Sequence, residues 1–208
     1  MERVSHENSL GPFPICPEHK QRLEKIILHE AGHCVIAKKL GFHANQIKIC
    51  LLYQGGQYDC YVVNDTARRL QNNAAILRFL DERILTLFSG AMAEALTDGK
   101  VDNEAARAVL ESDGGRNDQG KISELICLLS NIRHADLTND SDFKDALTSM
   151  TIELWDKARV LVEAEQDIIS GLSKKLASKI EVGGEEYLFS EEDIEALLVE
   201  AYKAGRND

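Results

Sequence analysis

Leu28-His29-Glu30-Ala31-Gly32-His33-Cys34-Val35-Ile36-Ala37 carries an H-E-x-x-H run inside an apolar stretch. Residues four apart on an α-helix lie one turn above each other, so the His29 and His33 imidazoles can close on one ion. Glu30 is offset around the helix toward the open side of such an ion, where a carboxylate can take a proton from an activated water and return it to a leaving amine. Zinc and metal-dependent hydrolysis are the first expectation from this spacing.

The helix is expected on independent grounds. Leu23, Ile26, Ile27, Ala31, Cys34 and Val35 recur at three- and four-residue steps and describe one apolar face from about Glu18 to Leu40. Pro17 suits its first turn and Gly41 the position just past its end. Gly32 lowers helix propensity by about 1 kcal/mol relative to alanine, which predicts close approach of another backbone.

The chain has 208 residues, 44% hydrophobic and 28% charged, which excludes global disorder and predicts one substantial core. All three prolines, Pro12, Pro14 and Pro17, fall at the start, so residues 1–17 read as an extended lead-in and 18–208 as a single domain. The net charge of -11 argues against nucleic acid as a partner. No stretch reaches the roughly 18 apolar residues of a membrane span, and no signal peptide is visible, so a cytoplasmic, membrane-free protein is expected. The five cysteines form no C-x-x-C pair and no disulfide framework. Cys16 and His19 have ligand-like spacing but no second pair, and read as core or cap residues.

Beyond the first helix, Ile47, Ile49 and Leu51 alternate with polar or small residues before Gly55-Gly56, and Tyr61-Val62-Val63 follow. This predicts two short antiparallel strands, with Tyr53, Tyr58 and Tyr61 in strand packing. Helical periodicity returns from Ala67 to Leu96, again in a short helix from Asp102 to Leu110, and after the polar turn Ser112 to Asp118. Asp118 is therefore expected at a helix N-terminus, placed to cap or to ligate a metal. One long helical pattern runs through Trp155, Leu161, Ile168, Leu172 and Leu176 until Gly183-Gly184, and Ser190 with Asp193 resembles a capping box opening a last helix. Gly205 to Asp208 read as a frayed tail, and His43 and His134 as surface residues. The chain is thus expected to be mainly α with a small antiparallel β element.

A catalytic zinc takes three protein ligands and keeps one position for water. The extended motif with a third histidine fails here, because Lys39 and Ile36 stand at its histidine and glycine positions. The sequence instead resembles the peptidase domain of the FtsH-type ATP-dependent zinc metalloproteases in four segments taken in order. Leu28 to Ala37 is similar to the zinc helix of that family, and Ile47 to Val63 to its strand pair. Ser89-Gly90-Ala91-Met92-Ala93-Glu94-Ala95-Leu96 resembles its small-residue helix, and Ser112 to Asp118 the turn bearing its third ligand. The resemblance weakens beyond this but extends from about residue 20 over nearly the whole chain.

The resemblance implies a helical zincin-type metallopeptidase fold and a zinc metalloendopeptidase activity. It implies that Asp118 joins His29 and His33 as zinc ligand, that Glu94 orients a ligating imidazole, and that Glu30 is the general base. A peptide or unfolded protein substrate lying along an edge strand within Gln57 to Val63 is expected in part from the same analogy. Departures are Ala91 for a basic residue of the family, Ala95 for the second acid of its pair, and Ser112 and Asp113 for its turn threonines. The membrane segment and ATPase domain of the family have no counterpart in the sequence, so an ATP-independent peptidase, or one served by a separate ATPase in trans, is expected. A homo-oligomer remains open, since the family forms hexameric rings. The alternative is a non-catalytic, zinc-stabilised adaptor or regulator keeping the peptidase fold.

Overall fold

A computed structural model describes residues 12–52 and 57–204. Tyr53, Gly55-Gly56 and the tail from Gly205 lie outside the described residues. The described residues form seven helices and seven strands.

The first helix, α1, runs from Pro17 to Lys39 with proline in its first turn. From His29 to Ala37 every residue is buried, so this segment is enclosed on all sides, unlike the one-faced helix expected from periodicity. One wall is α2, Asn73–Glu94, whose Ser89 and Ala93 meet the backbone of α1 at Gly32. A Cβ on Gly32 would stand 2.5 Å from Ala93 Cβ and 2.6 Å from the Ser89 carbonyl oxygen, which is the close approach its glycine predicts.

Opposite α2 lies a three-stranded antiparallel sheet of β2, His43–Leu51, flanked by β3, Tyr58–Asp65, and β7, Glu186–Ser190. Ile47 pairs with Val62 and Phe189, and Ile49 with Cys60 and Tyr187. Side chains paired across strands share a face, and this one turns toward the core, where Ile47 and Ile49 are fully buried. On the outer face Lys48 Nζ binds Asp59 at 2.8 Å and Glu186 at 2.7 Å, beneath Tyr61, which is exposed rather than packed. Tyr58 instead donates to the His19 carbonyl oxygen at 3.0 Å. Among the described residues β3 and β7 are the two edges of this sheet.

Three stretches depart from the periodic pattern. Residues 67–72 are not helical: the Arg68 guanidinium binds the Leu40 carbonyl at 2.7 Å, pairs with Glu82 and lies over Phe42, so α2 begins only after its cap Asn72. The long helix after Asn131 is two, α5 at Asp140–Ala164 and α6 at Gln166–Ala177, because Glu165 leaves the helical path and takes Lys39 Nζ at 2.6 Å. That break lets α5 pack on α2 and α6 on α1. The stretch around Gly183-Gly184 holds β6, Val182–Gly183, paired with β1, Phe13–Pro14, in the lead-in. β7 follows β6 along the chain and joins the three-stranded sheet.

The remaining helices are α3, Asn103–Glu111; α4, Arg116–Arg133; and α7, Glu191–Ala204. Two further two-residue strands, β4 at Leu96–Thr97 and β5 at Lys100–Val101, close the turn after α2. Ser190 and Asp193 form the expected reciprocal cap of α7, at 2.9 and 3.3 Å. One buried cluster reaches from Leu23 to Leu198. No helix among the described residues is long and apolar enough to cross a membrane.

Candidate metal centre

Three elements deliver the polar groups buried at the centre. α1 contributes His29, Glu30 and His33, each only 7% exposed. α4 contributes Asp118 from its first turn, and α2 contributes Thr86, Gly90 and Glu94, spaced so that they share one helix face. Asp118 is not the cap of α4, a position held by Gly115. Its carboxylate turns to the histidines.

Asp118 Oδ2 lies 2.9 Å from His33 Nε2 and 3.3 Å from His29 Nε2. On the far side of the rings, His33 Nδ1 donates to the Thr86 carbonyl oxygen at 2.8 Å, and His29 Nδ1 lies 3.4 Å from Glu94 Oε2. The tautomer follows. A carbonyl oxygen only accepts, so His33 carries its hydrogen on Nδ1, and in the neutral ring Nε2 is a bare lone pair. Two lone pairs cannot rest 2.9 Å apart unless a proton or a metal ion lies between them.

The donors fit a metal. Ligands 2.0–2.1 Å from a shared tetrahedral ion stand about 3.3 Å apart, close to the spacing here. His29, His33 and Asp118 can hold a metal ion, their donor atoms all within 4.8 Å of one another. Gly90 makes the room: a Cβ there would stand 2.6 Å from His29 Nε2 and closer still to His33 Nε2.

Electrostatics in the metal-free protein agree with that fit. Burial lowers the proton affinity of His29, but hydrogen bonds with Asp118 and Glu94 and the nearby charges of Glu30 and Asp118 outweigh it and raise its pKa to about 10. Burial disfavours the Asp118 anion, yet the two histidines hold its carboxyl well below the usual range. The centre is built for positive charge. Burial raises the Glu30 pKa, against the charges of His29 and His33 and a hydrogen bond from the Val62 amide of β3. Glu30 thus stands beside the three donors without being one of them.

Cys16, exposed, and His19 belong to no such cluster. His43 is an exposed partner of Glu191. The Thr86 carbonyl escapes sequence reasoning, since a backbone atom has no residue signature. Gly90 was signalled only by its place in a run of small residues. No protein-family model and no curated protein matches the chain. It is a mainly helical protein with a small antiparallel sheet and a buried His-His-Asp cluster able to hold a metal ion.

Proposed function

We propose that the chain is a zinc-dependent metallopeptidase with a helical zincin-type fold of the FtsH peptidase kind, using Glu30 as general base. The observation that carries this reading is the division of labour in the centre. Three donors converge at ligand spacing, while a fourth polar side chain, Glu30, is buried beside them and is left out of the donor set. A zinc held only for structure has no use for an adjacent base.

Zinc bound there supplies Lewis acidity, lowering the pKa of a water toward about 7 and polarising a carbonyl. The chain does the rest. Thr86 and Glu94 keep the Nδ1 hydrogens of His33 and His29 in place, leaving both Nε2 atoms free to ligate. The Glu30 carboxylate accepts a proton from the attacking water and delivers it to the leaving nitrogen, and its raised proton affinity suits that exchange. The edge of β3, next to Glu30 through Val62, offers backbone groups along which an extended peptide can lie.

Glu30→Gln tests the assignment. It keeps zinc at the parent level and abolishes cleavage of casein and of a peptide library; cleavage surviving in this variant would remove Glu30 from the mechanism. A zinc-loaded parent that cleaves no member of the library leaves the zinc-stabilised adaptor instead.

A further inference from the structure

Arg83 lies on α2 one turn before Thr86 and two turns before Gly90, on the face that lines the metal centre. It is half-buried, and its Nη1 atom is shut off from solvent with no hydrogen-bond partner among the described residues. A desolvated guanidinium nitrogen without a partner is costly. The acids next to it are engaged elsewhere: Asp81 binds Arg133 at 2.7 Å, and Glu82 pairs with Arg68. Arg116 and Arg159 have carboxylate partners, and Arg22 and Arg107 lie over aromatic rings.

The charge that acts on Arg83 is Asp118, against a burial effect that lowers its pKa. Arg83 is thus within Coulomb range of Asp118, but makes no ion pair with it of the kind a mere support for that ligand would make. On β3, exposed and half-buried positions alternate from Cys60 to Asp65, which puts Asn64 on the same strand face as Val62. Asn64 Oδ1 is also buried without a partner among the described residues. α2 therefore offers an unsatisfied donor on the helix face of Thr86 and Gly90, and β3 an unsatisfied amide on the strand face of Val62.

We propose that Arg83 receives a carboxylate of the substrate, so that the chain acts on peptides bearing an acidic side chain or a free C-terminus near the cleaved bond. This rests on the peptidase reading. Seven residues of helix separate Arg83 from Gly90, about 10 Å along the axis, which an extended peptide covers in about three residues. The carboxylate is accordingly expected within about three residues of the bond. A planar guanidinium takes it in a two-point contact, and the Asn64 amide meets a backbone group of the same peptide.

Two pairs of fluorogenic peptides test this, one exchanging Asp or Glu for Asn or Gln within three residues of the bond, the other a free for an amidated C-terminus. The parent is expected to favour the carboxylate member of at least one pair by tenfold or more in kcat/KM, and the pair that responds identifies which carboxylate is read. Arg83→Met should bring that ratio close to one and Arg83→Lys should retain part of it, with zinc per chain measured in each variant to detect misfolding. Calorimetry on zinc-loaded Glu30→Gln, with and without Arg83→Met, measures the same preference as binding, without turnover. No preference in the parent by either method, or an undiminished one in zinc-replete Arg83→Met, overturns the proposal. A parent that binds carboxylate peptides through Arg83 but cleaves none keeps the carboxylate site and overturns the peptidase reading.

Discussion

Gly90→Ala separates a site shaped for a metal ion from a buried cluster of hydrogen bonds. The new Cβ would stand 2.6 Å from His29 Nε2 and His33 Cε1, and nearer to His33 Nε2. Ordinary contact lies above 3.4 Å, so the ring atoms must retreat by about 0.8 Å or more. They have little freedom to do so, because Thr86 holds His33 from behind at 2.8 Å and Glu94 faces His29 at 3.4 Å. Metal sites tolerate displacements of about 0.2 Å. Zinc affinity should therefore fall at least about 100-fold, comparable to or beyond the loss of an outer hydrogen-bond partner. Stability of the metal-free protein should change far less: overpacking costs about 1–3 kcal/mol, offset by about 1 kcal/mol from replacing glycine in a helix. Chelator-competition titration gives the affinity, and denaturant unfolding in excess chelator gives the stability. Parent-level zinc affinity in Gly90→Ala would refute the claim that Gly90 provides the space for the ion.

Asp118→Ala should reduce bound zinc below one per chain and weaken affinity by more than about 100-fold; unchanged stoichiometry by elemental analysis would point to another third ligand, such as Glu94. In the metal-free protein the raised pKa of His29 contributes stability that is fully present below its ordinary value of 6.5 and is lost as pH rises through about 10. Thermal unfolding in chelator should therefore show this contribution fading from pH 6.5 upward, while the zinc-loaded protein does not follow. Over the same window zinc displaces a proton from His29, so its apparent affinity should tighten by about tenfold per pH unit; an affinity independent of pH would contradict the site. Gly32→Ala places a methyl group 2.6 Å from the Ser89 carbonyl, a backbone atom, so α1 and α2 must separate, and a loss of about 2 kcal/mol or more is expected in denaturant titration.

The parts legible in the sequence are those written in local pattern. The periodicity of Leu23 to Val35, with proline ahead and glycine behind, defined α1 to within a residue or two of Pro17–Lys39. Alternation at Ile47, Ile49 and Leu51 revealed β2, and Ser190 with Asp193 marked the start of α7. Local pattern failed where a tertiary contact overrides it. No glycine or proline marks Glu165, whose departure from the helix accompanies its bond to Lys39, 126 positions earlier in numbering. Residues 67–72 have helical periodicity but are held off the helix by Arg68 on Leu40 and Phe42. β7 is only five residues long and gains its partner, β2, from far along the chain.

The same division runs through the site. His29, Glu30 and His33 share one helix, so their relative placement follows from the helical repeat and could be read from sequence. The polar turn put Asp118 at a helix N-terminus, able to cap or to ligate, and only a resemblance implied that it is the third ligand; what brings it to within 2.9 Å of His33, across 85 positions, is the packing of α4 against α2. The Thr86 carbonyl that sets the tautomer, the space at Gly90 and the unpartnered Arg83 have no sequence signature. Sequence alone determined the helix, its pair of imidazoles and the carboxylate of Glu30 between them, because short-range geometry is fixed by the backbone. Tertiary structure decided which carboxylate completes the cluster and which cation on the neighbouring helix is left without a partner, because burial makes the energy of a charge depend on neighbours that the chain order does not reveal.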